Sequence, residues 1–362
     1  MDAYKLENYG YHIHIEKGIL QSEYIYQTCK SMGGKIAIIA DSITAPLYAT
    51  PLLEGFLKRD FKAALYTFSA GEYSKSRRTK ETLEDALLMD GFRSDTIMVA
   101  VGGGVVTDLT GYIAATFCRG VPLIAVPTTL LGMVDASIGG KCGVNTKHGK
   151  NLIGTIKHPA AIFIDPETLY TLPTTQILQG FVEMLKHAAI SNSFLFELYS
   201  QSFLSQNLPK NISSLIMENC RLKLKIVFSK QQELRHILNF GHTLGHAIEQ
   251  VSSYRVPHGQ AVATGIILES HISNRKGFLS EKEFFKIKEI FLNFHIPLKT
   301  VWTPKNIASK TLGDKKSLHQ TPRIVLLKKI GRVHTCKQNF CHPVTIDQIE
   351  EILRKSHDLY HH

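Results

Sequence analysis

The sequence predicts an α/β protein in two parts. Residues 1–170 read as a Rossmann-like, doubly wound sheet domain, and residues 171–362 as a mainly α-helical domain. Three observations carry this reading. Short β-branched apolar runs alternate with amphipathic stretches through the first half. One such run breaks into three consecutive glycines ahead of a helical pattern, in "VGGGVVTDLTG" (101–111). Beyond "DPETLYTLP" long helical spacings replace the short runs.

Each element follows from local pattern. "KIAIIA" (35–40) is short, β-branched and followed by Asp41, as suits a buried parallel strand; "AALYTF" (63–68) and "TIMVAV" (96–101) are further strands. "TKETLEDALLMDG" (79–91) places Leu83, Ala86 and Leu87 on one helical face and ends at Gly91. "TDLTGYIAATF" reads as the helix after the glycines, and "PLIAVP" (122–127) and "AIFID" (161–165) complete the strand set. In the second half, helices are predicted over 174–190, 212–228, 242–251 and 261–273. Ser280 and Glu283 have capping-box spacing, Gly331 centres a lone hairpin, and Thr345 with Gln348 caps a last helix.

Bulk properties narrow the function classes. A chain of 362 residues with 44% hydrophobic and 20% charged residues supports a large core and is not disordered. The amino-terminal stretch lacks the apolar segment of a signal peptide, and no run reaches the roughly 18 apolar residues of a membrane span. Six cysteines without CxxC spacing fit free thiols in a reducing cytoplasm. The net charge of +11 raises nucleic-acid binding, but the basic residues are dispersed and no recognition motif accompanies them. No nucleic-acid or membrane partner is therefore expected. Part of the excess suits a pocket for an anionic small molecule.

Three constellations are suited to chemistry. The glycines at 102–104 put unhindered backbone N–H groups at a helix N-terminus, where an anion is favoured. Thr107 replaces the last glycine of G-x-G-x-x-G, so a plain structural turn fits as well. The stretch 127–154 reads as a flexible glycine-rich loop carrying Asp135, Lys141, Lys147, Lys150 and Asn151, with Arg119 upstream as a further anion contact. The last set is Glu183 and Lys186, then His242, His246 and His258, with Arg235 and Asn239 one turn apart. Two histidines and one glutamate on different helices fit a catalytic divalent-metal site with an open position. The pair His242 and His246 admits three readings: a metal clip, two unrelated polar residues, or one ligand beside a substrate group. Glu183 and Lys186 alone would be a surface ion pair contributing about 0.2–0.5 kcal/mol.

Taken together, the strings "GGGVVTDLTGYIAATFCRGVPLIAVPTTLLGMVDASIGGKCGVN", "GKNLIG", "FVEMLKHAAI", "RHILNFGHTLGHAIE" and "VPHGQAVATGI" closely resemble the 3-dehydroquinate synthase family of sugar-phosphate cyclases. The likeness is dense over about residues 95–270, and "GEYSK" (71–75) and "DKK" (314–316) also have counterparts. More distant relatives are the glycerol and iron-group alcohol dehydrogenases. The resemblance implies a lyase of the shikimate route to chorismate and the aromatic amino acids. It would convert 3-deoxy-D-arabino-heptulosonate 7-phosphate to 3-dehydroquinate and phosphate, with NAD and a divalent metal, zinc or cobalt. Transient oxidation, phosphate elimination, re-reduction and intramolecular aldol closure would leave no net redox change.

By position the resemblance makes Glu183, His242 and His258 the metal ligands and turns His246 toward substrate. It assigns Asp135, Lys141, Asn151, Lys186, Lys223, Arg235, Asn239 and Lys316 to the substrate. Arg119 would reach the phosphate in the neighbouring site of a homodimer. Asp41, Glu72, Lys75, Gly103, Gly104, Asp108, Thr128 and Thr129 match the nucleotide site, with Lys141 and Lys150 beside them. Three departures from the family pattern stand out: Thr107 for glycine, "KCGVN" around Cys142, and a segment before Arg235 about two residues short, which loosens the register of Lys223.

Overall fold

The structure is a computed structural model that describes residues 4–6, 10, 12–203, 208–293, 303–311, 321–336 and 339–355. The chain divides into two compact units: Met1–Gly180 with Asn211–Leu224, and Phe181–Lys210 with Lys225–His362.

The first unit holds strands β1 (Tyr4–Leu6), β2 (Ile13–Ile15), β3 (Lys35–Asp41), β4 (Ala63–Phe68), β5 (Thr96–Gly102) and β6 (Leu123–Pro127). A hairpin of β7 (Lys141–Thr146) and β8 (Gly149–Ile156) precedes β9 (Ala161–Ile164). The main sheet has the order β1-β2-β9-β6-β5-β3-β4, parallel throughout except for the β1–β2 pair. Helices α1 (Glu23–Met32), α2 (Thr50–Leu57), α3 (Arg77–Met89) and α4 (Gly104–Thr116) connect the strands.

The apolar run of β3 is continuous because both of its faces are covered. Ile36, Ile38 and Ala40 pack with Ile25, Cys29, Leu52 and Phe56 of α1 and α2. Ala37 and Ile39 pack with Leu83, Leu87, Leu109 and Ile113 of α3 and α4. Full burial of each such large side chain contributes about 1.5–3 kcal/mol. After β4 the chain crosses back over β3 to form β5, so the winding direction reverses between the carboxyl ends of β3 and β5. In open sheets that reversal is where ligands bind; here it is marked by Asp41 and Gly102.

Residues 127–154 are more regular than a flexible loop. A π-helical turn, Gly132–Ala136, precedes the antiparallel β7–β8 hairpin. Its glycines permit strand approach: a Cβ on Gly143 would lie 2.3 Å from Ile153 O, and one on Gly154 2.1 Å from Cys142 O. Their composition imitates a loop while their position demands a strand.

The remaining helices are α5 (Thr174–Ser191), α6 (Ser193–Ser202), α7 (Ile212–Val227), α8 (His242–Val251), α9 (His258–Arg275), α10 (Glu281–Asn293), α11 (Pro304–Lys310) and α12 (Ile346–Lys355). In the second unit Leu244, Ala247 and Ile248 of α8 form a core with Leu268 and Ile272 of α9, Ile307 of α11 and Ile349 and Leu353 of α12. Ser280 caps the Glu283 N–H, and Thr345 and Gln348 cap one another, as their spacing predicts. The hairpin at Gly331 is present, with φ of 83° at the glycine. Among the described residues, no helix is long and apolar enough to cross a membrane.

Candidate active site

Three helices of the second unit converge on Glu183. Its carboxylate on α5 is fully buried, with Oε1 3.6 Å from His242 Nε2 and 3.7 Å from His258 Nε2. Lys186 Nζ, also buried, stands 2.5 Å from Oε2. Despite that close ion pair, neither oxygen of Glu183 accepts a hydrogen bond of ordinary geometry from a described residue. A buried carboxylate costs several kcal/mol unless positive charge serves it; Lys186 does so at Oε2, and Oε1 leaves room for something more beside the two histidines.

The histidines define what that something is. His242 Nδ1 lies 3.2 Å from Phe240 O, and His258 Nδ1 lies 3.3 Å from Glu249 Oε2. Both partners only accept, so in the Nδ1–H tautomer each neutral ring donates to the group behind it and turns the Nε2 lone pair toward Glu183. Three electron-pair donors thus share one space, all within 4.8 Å of one another. Ligands about 2.0–2.1 Å from tetrahedral zinc stand roughly 3.3 Å apart, close to the spacing here. The donor set fits a divalent cation, and His242 and His258 each stand first in their helix.

Backbone packing sets this convergence. Gly241 enters α8 at φ 76°, and a Cβ on Gly265 of α9 would lie 1.9 Å from Gly241 O. Gly245 meets Ala261 O and Val262 Cα at 3.1 Å from its ideal Cβ. The glycines of "FGHTLGHA" and "ATGI" therefore let α8 and α9 touch backbone to backbone. The buried carboxylate of Glu269 accepts the Gly241 N–H at 2.9 Å and pins the turn before His242.

In the first unit, β5 runs into Gly103, the N-cap of α4, where no side chain caps the helix. Since α4 follows β5 directly, its N-terminus lies at the carboxyl edge of the sheet. A Cβ on Gly103 would come 3.0 Å from Thr129 Cγ2, and Thr128 N donates to Gly102 O at 3.0 Å. Asp41 Oδ1 accepts from Ile43 N, Thr44 N and Thr44 Oγ1 at the end of β3. Buried Lys75 pairs with Asp108 and reaches Asn151 Oδ1 at 2.5 Å. Desolvation holds the Asp108 carboxyl above its ordinary range, with the charge of Lys75 opposing. Asn145 ties the hairpin to the same turn, donating to Glu72 Oε1 at 2.7 Å and accepting from Asn151 N at 3.0 Å. Asn151 itself sits at φ 52°.

Other assigned residues are placed as follows. Lys223 Nζ meets Asp135 Oδ1 at 2.5 Å. Arg235 is exposed, with Nε donating to Val227 O at 2.8 Å. His246 and Asn239 are half-buried, the former with its ring centroid 5.3 Å from that of His242. Lys141 and Arg119 are exposed, Lys150 is half-buried, and Arg119 has φ of 68°. Lys316 lies outside the described residues. Sequence reasoning missed Glu249, Phe240 and Asn145. Glu249 had a signal: it follows His242 by seven positions and so shares its helix face.

Comparison with known proteins decides the family. Residues 65–179 match the N-terminal domain of 3-dehydroquinate synthase and residues 180–317 its C-terminal domain. The chain belongs to the 3-dehydroquinate synthase family. A 3-dehydroquinate synthase from Desulforamulus reducens is 35% identical over 339 residues, covering 92% of this chain and 94% of the relative. One from Streptococcus mutans is 34% identical over 95% of this chain and 97% of its own. Among solved structures, 2-deoxy-scyllo-inosose synthase complexed with carbaglucose-6-phosphate, NAD+ and Co2+ superposes with a TM-score of 0.85 at 26% identity, covering 95% of this chain and 96% of that one. The Rossmann-like first part and mainly helical second part expected from sequence are both found, and the chain is an enzyme of the 3-dehydroquinate synthase type.

Proposed function

We propose that this chain converts 3-deoxy-D-arabino-heptulosonate 7-phosphate to 3-dehydroquinate and phosphate, with a nucleotide held by the first unit and a divalent cation by the second. The carrying observation is the buried Glu183 carboxylate, faced at 3.6 and 3.7 Å by the Nε2 atoms of His242 and His258. Glu183, His242 Nε2 and His258 Nε2 hold zinc or cobalt. Gly103 and Gly104 take the pyrophosphate of NAD at the start of α4. Asp41, Glu72, Lys75, Asp108, Thr128, Thr129 and Lys150 serve the rest of the nucleotide. When bound, the cation supplies Lewis acidity and NAD a reversible hydride acceptor, making one alcohol carbon a ketone long enough to acidify its neighbour.

The chain's own side chains do the remaining work. Val227 O anchors Arg235 through Nε, and its Nη groups form the planar fork that pairs with the substrate carboxylate. Lys141 and Asn151, with Arg119 from a second copy in a homodimer, neutralise the departing phosphate. The ion pair of Asp135 with Lys223 orients both groups toward substrate hydroxyls. Lys186, Asn239 and His246 complete the polar contacts, joined by Lys316. Free thiols throughout support a cytoplasmic location.

The test mixes the purified protein with the heptulosonate phosphate, catalytic NAD and zinc. Stoichiometric phosphate and dehydroquinate without net NADH are expected. Accumulation of NADH without phosphate release would instead indicate an alcohol dehydrogenase.

A further inference from the structure

We propose that Glu249 is a positioning residue that fixes the tautomer and direction of the His258 ring, an inference that rests on the metal centre described above. The two nitrogens of His258 face two carboxylates: Nε2 is 3.7 Å from Glu183 Oε1, and Nδ1 is 3.3 Å from Glu249 Oε2. A neutral imidazole has a single N–H, so it serves only one of them as donor. The shorter contact is to Glu249, which therefore keeps the proton on Nδ1 and commits Nε2 to the cation. With the opposite tautomer, Nε2–H would point at the space shared with Glu183 and His242, and the centre would lose a ligand.

The cost of placing Glu249 there supports a purpose. It sits in the last turn of α8 with only 2% of its surface exposed, on the helix whose Leu244, Ala247 and Ile248 join the helical core. A carboxylate in such surroundings is destabilising unless it is paired. Its Oε2 meets the His258 ring at Nδ1. His242 is held differently, by the carbonyl of Phe240 behind it and by Glu269 on the Gly241 N–H. Each metal-binding imidazole thus has its own support, and the one at His258 is charged. A carboxylate behind an imidazole raises ring basicity and strengthens its bond to a cation.

His246, Glu249 and His258 also lie close enough to form a ligand set of their own. This alternative makes Glu249 a ligand instead of a support, and the test separates the two. Zinc affinity is measured by competition with a chromophoric chelator, and cobalt binding by its visible spectrum, for wild type, Glu249→Gln, Glu249→Leu and His242→Ala. Urea unfolding of the metal-free proteins runs in parallel. Wild type should bind one zinc, and His242→Ala should lose it. Glu249→Leu should weaken zinc on the order of 10–100-fold and shift the cobalt spectrum. Glu249→Gln, which keeps an acceptor oxygen but not the charge, should fall between them with unchanged metal-free stability. Wild-type affinity and cobalt spectrum in a folded Glu249→Leu would overturn the proposal; should that variant not fold, Glu249→Ala giving wild-type affinity and spectrum would do the same. So would zinc lost from both Glu249 variants but kept by His242→Ala. A wild-type protein that binds no zinc would overturn the metal centre itself.

Discussion

At the residue scale, the centre depends on where two protons sit. His242 and His258 each have an acceptor behind the ring, 3.2 and 3.3 Å from Nδ1, and Glu183 brings a carboxylate that no ordinary hydrogen bond from a described residue satisfies. His258→Ala should therefore remove metal and turnover together while the first unit keeps its fold; metal analysis after gel filtration, with far-ultraviolet dichroism, checks both. His246→Ala should behave oppositely, retaining zinc while kcat/KM falls by about 10²-fold or more, the range for a lost acid, base or substrate contact. The sequence alone left the roles of His242 and His246 open, because four-residue spacing places both on one face without saying which ring nitrogen faces what. Their separation became visible only through Glu183, 59 positions before His242, and through the nearby carbonyl of Phe240, a backbone group that carries no side-chain signal at all.

At the scale of elements, glycine does two jobs that composition cannot tell apart. In the β7–β8 hairpin, Gly143 and Gly154 allow strands to close on one another, and the sequence reads there as a loop. At the α8–α9 crossing, Gly241, Gly245 and Gly265 allow helices to do the same, yet both helices were legible because apolar spacing and buried faces dominate them. The buried strands were likewise legible as continuous β-branched runs, whereas β1 and β2, three residues each, are too short to show a period. Gly265→Ala should be among the most damaging single-methyl changes in the protein. Its Cβ would stand 1.9 Å from Gly241 O, backbone that has no rotamer with which to yield. A loss of about 1–3 kcal/mol is expected from overpacking, with weakened zinc binding because His242 moves with Gly241. Gly277→Ala is the matched control: at φ 74° it has nothing within 4 Å, so urea unfolding should show only backbone strain and zinc affinity should hold.

For the whole molecule, thiol burial and acid sensitivity are the readable signatures. Desolvation pushes the Cys29 and Cys220 thiols up to about 12, and Cys118 and Cys336 are exposed. A disulfide reagent at about pH 8 should label the two exposed thiols quickly and all six only after unfolding. Burial, reinforced by Arg275, holds His271 below its ordinary value. The unfolded chain then binds more protons just below about pH 6.5, so stability falls as pH drops from there toward the lowered folded value. His271→Gln should flatten that part of the slope in urea melts. The bare glycine contacts between α8 and α9, and the apolar core beneath them, need no cation to form. A chelator should consequently disarm this enzyme without dismantling it, and cobalt added afterwards should restore turnover within mixing time, with no refolding lag.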